Sequence, residues 1–342
     1  MTVTCGIAHG WCTGFFVQQE TLSHGSNAFL EILCQLLDKV AAICRTTGRR
    51  FPQHLVIQTD NTVAQTKNSH AAAFCSQLVG AGKFSTVTLN FLMVGHTHED
   101  VDQLFGIITE LVVRKHRWET PAEFERILLA ELTPHVVDDR EEVIMVRGLS
   151  SIRDFESWLA EQAVSLYGCW GNRDGLEAPH SFAFKRRNDL SAVERSQVHC
   201  TLAERRAGYG PVNASGDDVY CCVKAYMRDK RLQQAPVLVL PCDRRDRVIG
   251  NWPTTAEAVN MSTSRAAQLE RLATVLEATP YMYTHAARAL RALAGSVVGP
   301  LAGPGWLAEA PVAQPPVVDY GNEYFGHLPD ISWHMLARFH NL

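Results

Sequence analysis

Two imidazoles and three carboxylates crowd into the seven positions from His96 to Asp102, in the run Gly95-His96-Thr97-His98-Glu99-Asp100-Val101-Asp102. Carboxylate oxygens suit Mg²⁺ or Mn²⁺, and carboxylates on converging elements are what metal-assisted phosphoryl transfer requires. Asp102 is the leading ligand and Glu99 the next, because residues three apart on a helix are surface neighbours; Asp100 is a further oxygen donor. Asp60, at the end of an apolar run, is the carboxylate that would meet them. His96 and His98 would then move a proton or hold a phosphate. A second chemistry is also open: His96-x-His98-x-Asp100 has the ligand types and spacing of a zinc hydrolase. The plainest alternative is helix capping, with Thr97 as N-cap and acidic residues gaining from the macrodipole. Five such groups in seven positions exceed what a cap needs.

The elements that must position these residues follow from periodicity. Val3 to His9 and Gly14 to Gln18 are β-branched or aromatic-rich runs around a Gly-containing turn, which predicts an antiparallel hairpin. A helix follows from Ser26-Asn27 to about Cys44, then a strand from His54 to Thr59 that stops at the turn-favouring Asp60-Asn61. Ser69 to Leu78 predicts a helix and Thr86 to Val94 a strand broken by Gly95. From about His98 to Lys115, Val101, Leu104, Ile108 and Leu111 make one apolar stripe of a helix. This alternation predicts a mixed sheet covered by helices, a class that places its sites beyond the carboxyl ends of strands. Asp60 and the 95–102 turn both occupy such ends.

Composition narrows the function classes. With 46% hydrophobic and 20% charged residues the chain is ordinary globular protein, long enough for two domains. A formal charge of −4 supplies no global basic field for nucleic acid, so any such contact is local. The basic runs Arg114-Lys115-His116-Arg117 and Lys185-Arg186-Arg187 read as a helix's C-terminal charge and a solvated loop; Lys67, Asn68 and His70 could orient a phosphate, but a single lysine in a polar loop reads more simply as solvated. None of the ten cysteines has C-x-x-C spacing, which points to reduced thiols used as small hydrophobes in an intracellular, nuclear or cytoplasmic protein. No signal peptide and no uncharged apolar run of the roughly 18 residues that span a bilayer is present, so no membrane partner is expected.

Three stretches carry a resemblance: Ala8-His9-Gly10-Trp11; Leu55 to Asn61 with Lys67-Asn68; and Leu89 to Phe105, which contains the G-H-T-H-E-D-x-D run. Together they resemble a large uncharacterised eukaryotic domain family, abundant in algal, oomycete and plant genomes and found in transposon-like contexts. That family has a ribonuclease H-like core related to DDE transposases and integrases. The resemblance covers residues 1–135 and extends more loosely through Phe155-Glu156-Ser157-Trp158-Leu159 and Pro179-His180-Ser181-Phe182 to about 240. It implies that Asp60-Asn61 ends the fourth strand of such a core and supplies the second metal carboxylate. Glu99, Asp100 or Asp102 would supply the third, at the head of the last core helix. The first carboxylate belongs on the first strand, and before Asp60 only Glu20, Glu31 and Asp38 are acidic, none well placed. The chain therefore reads as starting after that strand. The H-x-H-x-D run also matches metallo-β-lactamase-like hydrolases, but His116, His135, His180 and His199 lack the surroundings of their further ligands. Gly95-His96-Thr97-His98 matches the closing motif of calcineurin-like phosphoesterases, whose upstream motifs are absent from residues 1–95.

The expected architecture is a ribonuclease H-like core over 1–135, a small α+β region over 140–250, a helical segment over 254–297, a Pro/Gly linker over 298–316 and a tail over 317–342 that is poorly ordered or docks back. The expected function is a transposon-derived, Mg²⁺- or Mn²⁺-dependent nuclease or transposase acting on DNA phosphodiesters. The alternatives are a non-catalytic interaction scaffold, favoured by the missing first carboxylate, and a Zn²⁺ hydrolase. Nothing in the sequence sets the oligomeric state.

Overall fold

A computed structural model of the chain describes residues 2–18, 22, 24–59, 65–92, 100–133, 143–160, 179–198, 215–242, 253, 263–278, 288, 291 and 331–335. The hairpin forms as expected, β1 (Thr2–Ala8) and β2 (Cys12–Gln18) pairing antiparallel from Thr2↔Gln18 to Ala8↔Cys12. Gly10 supplies the positive φ of 73° that the turn needs. All seven positions of each strand are buried, so helices must cover both faces.

Helix α1 (Ser26–Thr47) ends at Gly48 in the left-handed conformation, φ 69°. Strand β3 (His54–Thr59) is followed by helix α2 (Ser69–Gly80), whose N-cap Asn68 accepts a hydrogen bond from the Ala71 N–H at 3.0 Å. Strand β4 (Thr86–Phe91) stops three residues short of the expected Val94. It pairs parallel to β3 in register from His54↔Thr86 to Thr59↔Phe91. Helix α3 (Asp100–Ile108) continues as a π-helical turn over Thr109–Val113. The residues of this segment buried against the sheet are Val101, Phe105, Ile108 and Val112. Leu104 and Leu111, expected on the buried stripe, are only partly buried.

The remaining elements are helix α4 (Pro121–Leu132), strand β5 (Val143–Leu149), the short helix α5 (Phe155–Leu159), β6 (Ser181–Arg186), α6 (Ala192–Ser196), β7 (Val219–Lys224), β8 (Val237–Leu240), α7 (Thr263–Ala278) and β9 (Ile331–Met335). The described part of α7 is shorter than the helix expected from Thr254 to Leu293.

The nine strands of the described residues lie in one mixed sheet, ordered β5-β2-β1-β9-β3-β4-β6-β7-β8. Strands from the 140–250 region extend both edges of the sheet begun by the first 135 residues: β5 pairs parallel to β2, and β6 antiparallel to β4. The tail docks back, β9 lying antiparallel to β1 and parallel to β3 between them. One apolar core packs α1, α2 and α5 on one face, through residues such as Phe16, Leu36, Leu37, Phe74 and Phe155. A second packs α3, the π-helical turn and α4 on the other, around Val3, Cys5, Ile7 and Phe15. Phe15 and Phe16, adjacent on β2, enter opposite cores, as the period of two requires.

Candidate functional site

The carboxyl ends of β3 and β4 are neighbours. Thr59 and Phe91 are partners at the last rung, and the Leu92 N–H donates to the Thr59 carbonyl at 3.0 Å. The segments that leave these strands, beginning at Asp60 and Met93, therefore start from adjacent strands, about 5 Å apart. Helix α3 returns over the sheet, where it touches β1 and β9. Strand β9 reaches the same end, since Met335 pairs with Thr59.

Asp60, His96, His98 and Glu99 lie outside the described residues. Asp100 is the first residue of α3. Asp102 is half-buried on α3, beside the buried Val101. Among the described residues no group of three His, Cys, Asp or Glu side chains is close enough to hold a metal ion. The family-like stretch Ala8-His9-Gly10-Trp11 sits away from this end of the sheet. Ala8 is level with Ile57 through Trp333, and the turn that follows projects past the amino-terminal half of β3. Its role is local. Arg49 stacks over the Trp11 ring at 3.6 Å and donates to the Gly10 carbonyl at 3.2 Å.

On the α1/α2 side of the strand ends the loop leading into α2 is buried: Gln65 is 6%, Thr66 0% and Lys67 5% exposed. Lys67 is thus not the solvated lysine expected from a polar loop. Its ammonium lies 5.3 Å from the Phe91 ring centre, and burial lowers its pKa. Three helix N-termini meet beside this loop. Asn68 donates to Ser26 Oγ at 2.9 Å, joining the N-cap of α2 to the first residue of α1. Asn27 accepts from the Glu156 N–H at 2.8 Å, and Asp154 caps α5 by accepting from the Ser157 N–H at 3.0 Å. Glu31, 3% exposed, anchors the junction by taking the Arg153 guanidinium at 2.5 Å and the Arg153 N–H at 3.2 Å.

His180 is a residue of this neighbourhood that spacing did not single out. Its Nδ1 lies 3.2 Å from the Phe91 carbonyl, and its ring stacks on Tyr226 at 5.5 Å. Its place beside these strand ends is not local information, for it is brought to the end of β4 by the pairing of β6.

The basic run at 185–187 is tied down rather than solvated. Lys185 donates to both Glu194 oxygens at 3.0 and 3.1 Å, and Arg186 donates to the Val79 carbonyl at 3.2 Å. Arg114 stays exposed on the surface, paired with Glu110. The eight described cysteines are free thiols, all but Cys242 buried. Burial pushes Cys44 up to about 11 and Cys222 up to about 12, so these thiols stay protonated at neutral pH. No described helix is long and apolar enough to cross a membrane.

Comparison with known proteins adds one result. The model of a Domain of unknown function (DUF7869) matches residues 1–201, well over half of the chain. The chain belongs to this DUF7869 family. The matched region ends within the 140–250 segment, past the boundary at 135 expected for the core, and includes β1 to β6. No curated protein and no solved structure matches the chain.

Proposed function

We propose that this DUF7869 protein is a ribonuclease H-like, divalent-metal-dependent phosphoryl-transfer protein whose ancestral substrate is DNA, as the transposon-associated resemblance implies. The observation that carries the reading is the register pair Thr59↔Phe91. It starts the Asp60 segment and the 93–102 segment from adjacent strand ends, the arrangement that lets carboxylates from two elements share a metal. The strand order adds support. An antiparallel hairpin, a central strand and two parallel strands in the order β2-β1-β9-β3-β4, with helices after β2, β3 and β4, match the five-stranded ribonuclease H plan. In that plan β9 stands in the place of the first strand.

In this reading Asp60 with Asp102 or Glu99 would hold Mg²⁺ or Mn²⁺, and Asp100 is a further donor. The metal would supply an activated water and charge neutralisation at the leaving oxygen. His96 or His98 would hold or move the proton. The test is nicking of supercoiled DNA by the full chain in Mn²⁺. Nicking that disappears in both Asp60→Asn and Asp102→Asn supports the reading, and nicking unchanged by either substitution refutes it.

One observation favours the scaffold alternative. Strands β1, β2 and β9, which would border the metal, contain no acidic residue. A chain that folds, binds no Mn²⁺ and nicks nothing fits a non-catalytic module. Zinc bound through His96, His98 and Asp100 would instead fit the hydrolase reading.

A further inference from the structure

The chain carries a formal charge of −4, but that charge is unevenly spread. From Lys39 to His98 the sequence holds six lysines and arginines and a single acidic residue, Asp60. The fold sorts these groups by end. Asp60 follows the carboxyl end of β3, and Lys67 is buried beside Phe91 of β4. Apart from Lys39 within α1, the other cations go to the opposite end of the sheet. Arg45 is in the last turn of α1, Arg49 and Arg50 lie between α1 and β3, and Lys83 lies between α2 and β4. These two connections run side by side, for the Ser85 N–H donates to the Gln53 carbonyl at 2.8 Å and Phe51 packs on Phe84 at 5.4 Å. Strand β6 adds a guanidinium. Thr86 pairs with Lys185, and Arg186, next in the chain, donates to the Val79 carbonyl at the end of α2. A rim of Arg45, Arg49, Arg50, Lys83 and Arg186 thus borders the amino ends of β3 and β4.

Helix capping does not account for a rim of this size. The carboxyl ends of α1 and α2 both reach it, and each helix terminus presents only about half a negative charge. Five cations exceed that several-fold. Arg45, Arg49 and Arg50 are exposed. Arg49 meets the Trp11 ring and the Gly10 carbonyl, and Arg186 the Val79 carbonyl; neither they nor Arg50 pair with a carboxylate among the described residues. Acidic residues mark the limits of the rim. On one side Glu141-Glu142 immediately precede Val143, whose N–H donates to the Trp11 carbonyl at 3.2 Å. On the other, the Asn188 N–H donates to the Gly216 carbonyl at 3.1 Å, which sets the turn holding Asp189 beside the one holding Asp217.

The composition of the rim selects its occupant. Binding to an anionic membrane surface combines basic residues with apolar side chains that insert beside them. The exposed large hydrophobic side chains of the described residues, such as Ile107, Leu129 and Val193, belong to other segments. Guanidinium groups predominate in the rim, and their fork of N–H donors matches phosphate oxygens. We propose that this rim is a contact surface for the phosphate backbone of DNA, set about 20 Å from the Asp60 end by the length of β3. The choice of DNA rests on the phosphoryl-transfer reading. The surface needs no metal, so the two ideas fail separately.

The experiment is fluorescence anisotropy of a short labelled DNA duplex titrated with the full chain in EDTA at several salt concentrations. Each phosphate neutralised contributes about 0.9 to the slope of log affinity against log salt. Arg45→Gln/Arg50→Gln should therefore make the slope shallower by about 2. Arg45→Lys/Arg50→Lys keeps both charges and should retain most of the wild-type slope. Arg114→Gln removes an exposed arginine that is paired with Glu110 elsewhere on the surface, and should leave the slope unchanged. A wild type that does not bind the duplex at low salt, an unchanged slope in the double Gln variant, or an equal loss in Arg114→Gln overturns the proposal. Binding to phosphatidylserine vesicles but not to the duplex would assign the rim to a membrane surface and also overturns it. Asp60→Asn should keep duplex binding in EDTA while losing Mn²⁺-dependent nicking, and Arg45→Gln/Arg50→Gln should keep nicking at saturating DNA. Loss of duplex binding in Asp60→Asn, with the double Gln variant binding normally, would place the duplex at the other end of the sheet and overturn the proposal.

Discussion

Replacing Arg153 by Met tests whether the helix junction beside the strand ends is held electrostatically. Glu31 is 3% and Arg153 13% exposed at the side chain, so their 2.5 Å contact is screened little by solvent. Without the guanidinium, Glu31 keeps, among the described residues, only Gln35 Nε2 at 3.0 Å and the backbone N–H of residue 153 at 3.2 Å. Breaking a buried pair from one side costs about 3–5 kcal/mol, because it strands the other charge. That is a large fraction of the roughly 5–15 kcal/mol by which a domain is stable. Arg153→Met should therefore lower the urea midpoint sharply. Adding Glu31→Gln should recover a substantial part of the loss, since the uncompensated charge is then removed. Equilibrium urea unfolding followed by tryptophan fluorescence measures the full double-mutant cycle. A loss below about 1 kcal/mol in Arg153→Met, the range of an exposed pair, would refute the reasoning.

Other outcomes follow from the same structure. Gly14→Val should destabilise by about 1–3 kcal/mol, because a Cβ there meets Leu36 Cδ2 and Phe16 Cε2 at 2.8 Å; thermal denaturation reads the change. Ending the chain at residue 330 removes β9 and leaves β1 and β3 with open edges, so hydrogen exchange at Gly6 to Ala8 and Leu55 to Thr59 should accelerate relative to β6 and β7. For Glu194 burial pushes the pKa up, but the Ser191 N–H and the Lys185 ammonium outweigh it and hold the carboxyl below its ordinary value. Its contribution is therefore complete above the ordinary carboxylate range and is lost as pH falls through the lowered pKa; Glu194→Gln should flatten the acid side of a stability–pH curve. Thr120→Ala should cost about 1 kcal/mol, since Thr120 Oγ1 accepts from the Glu123 N–H at 3.2 Å.

The order from hairpin to α3 was legible because each element carries its own period and punctuation: β3 begins at His54 and ends at Thr59 as expected, and Asn68 caps the helix that follows. Helix α4 went unread although Thr120-Pro121-Ala122-Glu123 holds an N-cap, a proline at N1 and an acid in the first turn. The buried stripe of α3 was read one residue off, at Leu104 instead of Phe105. The π-helical turn from Thr109, with the Arg114 N–H reaching the Thr109 carbonyl at 3.1 Å, then places Val112 rather than Leu111 inside. Strand β9 could not be read from Ile331-Ser332-Trp333-His334-Met335, because its place is set by β1 and β3 more than 270 residues earlier. The same non-locality explains Lys67. A polar loop predicts a solvated lysine, and the folded chain instead buries it beside Phe91 of β4. The adjacency of the strands bearing Asp60 and the 95–102 turn was a supposition from sequence; pairing of β3 with β4 supplies it.

The proposed chemistry requires Asp60 and the acidic head of α3 to act together on one divalent metal. Electron paramagnetic resonance of Mn²⁺ titrated into the full chain tests this directly, because bound and free Mn²⁺ give distinct signals. Binding should be saturable and weaken at least tenfold in Asp60→Asn and in Asp102→Asn or Glu99→Gln, with His96→Ala and His98→Ala having smaller effects. Saturable binding that survives all three carboxylate substitutions, or no binding in the folded wild-type chain, would contradict it.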